Sequence, residues 1–161
     1  MRVNRVQSSG GDVGNYLLFK IDPSDSSFFA VNASEIKEVL IKPRLHKIPG
    51  YHAVIDGTFD LRGVAVSVAD TCQAIGRKAM PDENKRFVIV LDNGRSAFGL
   101  LAYQVSSIIK KEGADMLSPP SSLGNQHCAS SIFNHSNIEE RGSNSSIVIV
   151  LDVNEILKKL K

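Results

Sequence analysis

The sequence has no tryptophan, and at 6% its aromatic residues are too few to build stacking platforms for bases or sugars. Its two cysteines, Cys72 and Cys128, cannot make a disulfide framework and lack zinc-ligand spacing. A reducing compartment is the expected setting. Neither charge sign dominates, since 19 Lys and Arg oppose 17 Asp and Glu for a net of +2. That balance excludes an acidic solvating tail, and it argues against a dedicated nucleic-acid binder, which concentrates positive charge. No apolar run exceeds five residues, as in Phe87 to Leu91, whereas a spanning helix needs roughly 20. The basic N-terminus is not followed by the apolar core of a leader peptide. A cytoplasmic protein with no membrane insertion is expected. There is also no Walker-type phosphate loop and no Gly-x-Ser-x-Gly elbow.

What remains is 161 residues, 42% of them hydrophobic, enough for one sizeable domain or two small intimate ones. Residues 1–14 read as a flexible lead-in. Tyr16 to Ile21 and Phe28 to Val31 are strand candidates joined by the turn-rich Asp22 to Ser27, so a hairpin is expected. Asn32 and Ser34 offer cap oxygens for a single helical turn. Val64 to Ala69 alternates with apolar side chains at 64, 66 and 68. Phe87 to Leu91 and Ser96 to Ala102 flank Asn93-Gly94, a dipeptide that tolerates positive φ at both positions and so predicts a tight hairpin. Val153, Ile156, Leu157 and Leu160 fall on one face of a C-terminal helix, with Lys158, Lys159 and Lys161 at its negative end.

Two segments share one grammar. Val68-Ala-Asp70-x-x-Gln73 and Val150-Leu-Asp152-x-x-Glu155 each end a strand on an Asp that starts a helix. They lie 152 − 70 = 82 positions apart, about half the chain, which hints at two related halves. Between them Ser118 to Ser146 reads as a long surface loop with one edge strand around Ile132-Phe133. Many short strands with few helices predict a mainly β protein, barrel or sandwich.

Four histidines are present, and His127, Cys128 and His135 do not have the spacing of a metal set, so they read as loop residues. Cys72 is expected to pack in the core, and Asp70 and Asp152 to act as caps rather than as an acid–base pair. Nothing assembles an enzyme, and no cofactor or metal is expected. The run Lys42-Pro-Arg-Leu-His-Lys47 contains no acid, and it supports an alternative reading as a β-barrel nucleic-acid-binding module. Arg62, between Leu61 and Gly63 at the entrance to an apolar strand, is costly to bury unless a carboxylate meets it, and Glu38 is the natural candidate. Gly57 and Gly63 mark backbone positions where a side chain would not fit.

At these residues the sequence resembles the CheW-like family of chemotaxis coupling domains. The resemblance rests on Glu38-Val39, Pro49, Gly57, Asp60-Leu-Arg-Gly63 and Asp70, then on Phe87 through Leu101 with Gly99 in its hairpin. Val105-Ser-Ser-Ile108, Ser118-Pro-Pro120 and the closing strand and helix complete it, so residues 15–161 would form one CheW-like domain. The wording is nearer the coupling half of CheV proteins. Those carry a receiver domain after this module, so the chain reads as either a stand-alone coupling protein or the N-terminal part of a longer one. Departures fall at Ser67, Thr71, Tyr103 and residues 127–131.

The resemblance implies two intertwined five-stranded SH3-like β-barrel subdomains with short helices. Their boundary is expected near 77–86, with strands exchanged between them. It implies no catalysis. It implies an adaptor linking chemoreceptor cytoplasmic tips to the regulatory domain of the chemotaxis histidine kinase CheA, localised at receptor arrays. By that resemblance Ile36, Val105 and Ile108 line a receptor groove, Glu38 and Arg62 form a coupling charge pair, and Gly57, Gly63 and Gly99 are structural. A monomer in isolation is expected, with no nucleic-acid partner.

Overall fold

A computed structural model describes residues 13–50, 52–121, 128–136 and 145–160. Strand β1 (Val13–Lys20), which begins inside the expected lead-in, pairs antiparallel with β2 (Phe28–Asn32), Leu17 opposite Val31. Asp22 and Asp25 shape the connection by accepting from the N–H groups of Ser24 and Ser27. The Asn32 side chain then accepts from Ser34 N–H over a single 3-10 turn, Ala33–Glu35. Across that turn the chain leaves the first sheet and enters a second.

The second sheet is contiguous in sequence. It comprises β3 (Ile36–Ile41), β4 (Ile55–Leu61), β5 (Val64–Ala69), β6 (Phe87–Asp92) and β7 (Ala97–Ala102), in the order β3-β6-β7-β5-β4. Tyr103 alone separates β7 from β8 (Gln104–Glu112), which returns to the first sheet beside β1. The first sheet is completed by β9 (Ala129–Ser136) and β10 (Ser145–Leu151), in the order β8-β1-β2-β10-β9. One sheet is therefore an insertion in the other. Residues 77–86, expected at the boundary between subdomains, instead join two strands of the same sheet. The crossings lie at 33–35 and at Tyr103.

The two sheets repeat one plan. Each has a central antiparallel hairpin, β6–β7 or β1–β2, with a parallel strand, β5 or β10, against its second member. Each parallel strand ends on an Asp. Asp70 accepts from Gln73 N–H ahead of α1 (Thr71–Ala74), and Asp152 accepts from Asn154 and Glu155 N–H ahead of α2 (Val153–Lys159). Each sheet is also closed by a short segment beyond its edge strand. His46 and Thr58 exchange two backbone hydrogen bonds of 2.8 Å, and Leu117 and Ile132 exchange two of 2.8 and 2.9 Å. These bridges join the outer edges of β4 and β9 to the chain following β3 and β8, which makes two barrels.

Alternation explains how the barrels hold each other. Along β1 and β2, Leu18, Phe28 and Ala30 face the smaller cluster with Phe133, Val148 and Val150. Leu17, Phe19, Phe29 and Val31, on the opposite face, join the larger cluster with β6, β7, Ile75 and Ile156. A strand buried on both faces has to be apolar throughout, which is why these segments read as unbroken runs. Small contacts follow the same exchange. Arg77, just past α1, pairs with Asp25 of the β1–β2 turn at 3.1 Å and lies over the Phe29 ring, and Asn93 of the β6–β7 turn donates to Asn154 at the start of α2.

The structure departs from expectation at several residues. Val64 is 51% exposed, whereas Val66 and Val68 are buried. His135 is not in a loop but on β9, edge-on to the Phe28 ring. Asn93-Gly94 sits in a four-residue loop with positive φ at Gly94 only. Among the described residues no helix is long and apolar enough to cross a membrane.

Two stability predictions follow from named contacts. A Cβ on Gly99 would lie 2.6 Å from Val88 Cγ1, on a stiff β-branched side chain. Gly99→Ala should therefore lower unfolding free energy in urea by about 1–3 kcal/mol, and an unchanged midpoint would show that the interior has room there. Asp70 is 1% exposed and accepts from Met80 N–H at 2.8 Å in addition to its cap bond. Asp70→Ala should cost roughly 2–4 kcal/mol by losing a cap and stranding a buried donor, against about 1 for the more exposed cap Asp152→Ala. Equal losses would contradict that account.

Candidate functional site

The site begins in the β4–β5 connection. Leu61 pairs with Val64, which leaves only Arg62 and Gly63 to reverse the chain. Both have positive φ, 51° and 85°, the signature of a type I′ hairpin turn whose twist matches the strands it joins. Asp60 supports the turn by accepting from Gly63 N–H at 3.3 Å. Gly63 takes this conformation at no steric cost, and a Cβ there would meet nothing within 4 Å, so its requirement is conformational. Arg62 has no such freedom. It is one of two described non-glycine residues with positive φ, the other being Cys128.

From this turn Arg62 reaches Glu38 on β3 in a two-pronged contact. Nη1 donates to Oε2 at 3.0 Å and Nη2 to Oε1 at 3.1 Å. The hydrogen bonds and charge of Glu38 raise the guanidinium pKa further above its ordinary value. The Arg62 side chain is 71% exposed and that of Glu38 26%, so the desolvation expected for Arg62 does not arise. β3 and β4 are the two edges of the inserted sheet, so the pair spans the barrel seam. The His46–Thr58 backbone bridge spans the same seam farther along. Gly57 is required there because a Cβ would lie 2.8 Å from Leu45 Cβ and 3.0 Å from the His46 carbonyl oxygen.

The other expected site residues are placed as follows. Ile36 opens β3 just after the first crossing and Val105 lies near the start of β8 just after the second, and both pack partly buried on the larger core cluster. Ile108, farther along β8, is 60% exposed. Ser67 lies on β5, Thr71 opens α1 and donates to the Leu101 carbonyl, and Tyr103 lies at the second crossing under the Arg86 guanidinium. Lys85, which sequence reading passed over, has Nζ 2.8 Å from Asp56 and 3.3 Å from Asp82. Burial opposes its charge, but these two carboxylates outweigh it and raise its pKa. The Asp82-x-x-Lys85 spacing is the signal that would have found it.

The thiols are poorly placed for nucleophilic chemistry. Burial, aided by Asp70, pushes Cys72 up to about 11, and burial also raises Cys128. No group of three metal-ligating side chains occurs among the described residues, and His127 lies outside them. An ordered polar feature on the described surface is the two-pronged Glu38–Arg62 contact, held out on a hairpin turn.

Comparison with known proteins agrees in kind. The chain is 28% identical over 138 residues to chemotaxis protein CheV3 of Helicobacter pylori, covering 83% of this chain and 42% of that protein. It is 30% identical over 78 residues to protein PilI of Pseudomonas aeruginosa, covering 48% of this chain and 44% of that protein. The chain therefore spans less than half the length of the curated relatives it matches. In structure it is similar to the scaffolding protein TtCheW of Thermoanaerobacter tengcongensis, with a TM-score of 0.73 at 16% identity over 91% of this chain and 89% of that one. At that identity the likeness establishes the fold. The family model for the CheW-like domain matches residues 15–161, taking in both closed sheets and both Asp-capped helices, and the chain belongs to that family.

Proposed function

We propose that this domain is a non-enzymatic adaptor that couples chemoreceptor signalling tips to the regulatory domain of the chemotaxis histidine kinase at receptor arrays in the cytoplasm. The observation that carries the reading is the Glu38–Arg62 pair, an exposed, oriented charge contact on a CheW-like domain, made from a backbone conformation that arginine disfavours. Local conflict of this kind concentrates at functional sites. A receptor tip built as a helical hairpin would dock helix-in-groove, with apolar anchors supplied by Ile36, Val105 and Ile108. The charge pair would set its register, since an oriented guanidinium fixes geometry more than it adds affinity.

The test is a titration of the intact chain against a purified receptor signalling tip and, separately, the kinase regulatory domain. Arg62→Ala should weaken binding of the receptor tip by about tenfold, as expected for an interfacial arginine, and Lys78→Ala, at an exposed position past α1, should leave it unchanged. Equal effects of the two substitutions, with folding intact, would remove the pair from the interface. No saturable binding of either partner would remove the coupling function. A second expectation concerns stability alone. Arg62→Gly exchanges an exposed ion pair for a relaxed turn, so its melting temperature should match or exceed that of the wild type. A fall of several degrees would make the pair structural.

A further inference from the structure

The connection between β3 and β4 carries a charge cluster that coupling through Arg62 does not use. Lys42, Arg44 and Lys47 line an open depression of about 370 Å³, together with Leu45 and the Asp56–Lys85–Asp82 group. Lys85 is neutralised where it stands, between two carboxylates and with its side chain 9% exposed. Among the described residues, Lys42, Arg44 and Lys47 make no ion pair. Three unpaired cations thus face a depression whose other charges, Lys85 against Asp56 and Asp82, leave a single negative charge.

The backbone that presents them is pinned. Lys42 N–H donates to the Arg86 carbonyl at 2.9 Å, and His46 is held to Thr58 by two bonds of 2.8 Å. Leu45 packs on the larger core cluster and lies against Gly57. The cations therefore project from a fixed strap, so little backbone ordering is left for a ligand to impose.

We propose that Lys42, Arg44 and Lys47 form a docking surface for an acidic segment of a protein partner. The charge pattern favours a peptide over nucleic acid. Asp82 stands at the same depression with its side chain 97% exposed, where it opposes an evenly charged phosphate backbone. A peptide can place neutral residues opposite Asp82 and offer it backbone N–H donors. Among the described residues no aromatic side chain lines the depression to stack a base. The inference does not depend on the receptor-coupling reading, because the cluster lies on a different part of the inserted barrel from the Arg62 turn.

The probe is a fluorescein-labelled peptide alternating Glu with Gly, followed by anisotropy with the intact chain at low ionic strength. The variant Lys42→Glu/Arg44→Glu/Lys47→Glu should weaken binding about tenfold, the combined effect of three exposed charge contacts. Lys78→Glu/Arg95→Glu/Lys110→Glu makes the same change in net charge at exposed positions elsewhere, and should change binding by no more than about twofold. Lys42→Gln/Arg44→Gln/Lys47→Gln keeps the test available if charge reversal perturbs the fold. Equal losses in the two reversal variants would overturn the proposal, because net charge and not location would then govern. Absence of saturable peptide binding by the wild type would also overturn it. So would tighter binding of a single-stranded oligonucleotide of equal charge through the same three residues, which would make the surface a nucleic-acid site.

Discussion

Strands β2, β6 and β7, and β1 from Leu17 to Phe19, have no solvent face, and the rest of the molecule is arranged around that constraint. β1 and β2 divide their alternate side chains between the smaller and the larger cluster, and the buried side chains of β6 and β7 all join the larger one. Phe19, Phe29, Ile89 and Leu91 are all at 0–1% exposure, and a fully buried side chain of this size contributes roughly 1.5–3 kcal/mol. An exposed ion pair such as Arg77–Asp25 contributes roughly 0.2–1 kcal/mol. The shared core therefore fixes how the barrels sit, and the surface pairs follow it. It also explains the short crossings. A chain that must bury both ends of one sheet against an inserted second sheet has little length to spend, and a 3-10 turn and one tyrosine suffice.

With the central strands committed to the core, specific chemistry is left to the seams. A five-stranded sheet closes only if its two edges meet, and among the described residues they meet through one isolated backbone bridge in each barrel. In the inserted barrel the seam carries the Gly57 close approach, the pinned cationic strap beside it, and the Glu38–Arg62 contact near the hairpin tip. Connections raised on a rigid scaffold are where recognition residues concentrate, because their side chains can be exposed without exposing backbone polar groups.

What was legible in the sequence was whatever depends on near neighbours. Unbroken apolar runs, the Asp caps at 70 and 152, the β1–β2 hairpin and the C-terminal apolar stripe are all local, and the 82-residue repeat of one grammar marked the duplicated plan. The seams were not legible, because His46–Thr58 and Leu117–Ile132 are isolated bridges with no periodicity of their own. The subdomain boundary was missed for a related reason, since residues 77–86 look like a linker until the sheet order places β5 and β6 together. Turn type was misjudged where a side chain intervened. The Asn93 side-chain Oδ1 accepts from Arg95 and Ser96 N–H, which builds a longer loop and leaves the two-residue type I′ turn to Arg62-Gly63. Glu38 was legible as the partner of Arg62 because a guanidinium beside an apolar strand calls for a carboxylate. The exposure of the pair was not, because it depends on where the seam opens.

That exposure gives the pair its meaning. A guanidinium carries five N–H donors in a fixed fork, and Glu38 takes two of Arg62's. The carboxylate holds the plane of the fork still while the other donors remain free for an acceptor on an approaching surface. A lysine at this position would present a rotating point charge, and it could not hold one face on Glu38 while offering another outward. An unpaired arginine would lose rotamer freedom only on binding, at a cost in affinity. Because such an exposed contact adds little to folding while the turn beneath it strains an arginine, stability alone does not account for the residue. An arginine oriented in advance by its own carboxylate, on a two-residue hairpin turn, is what the proposed receptor contact would use.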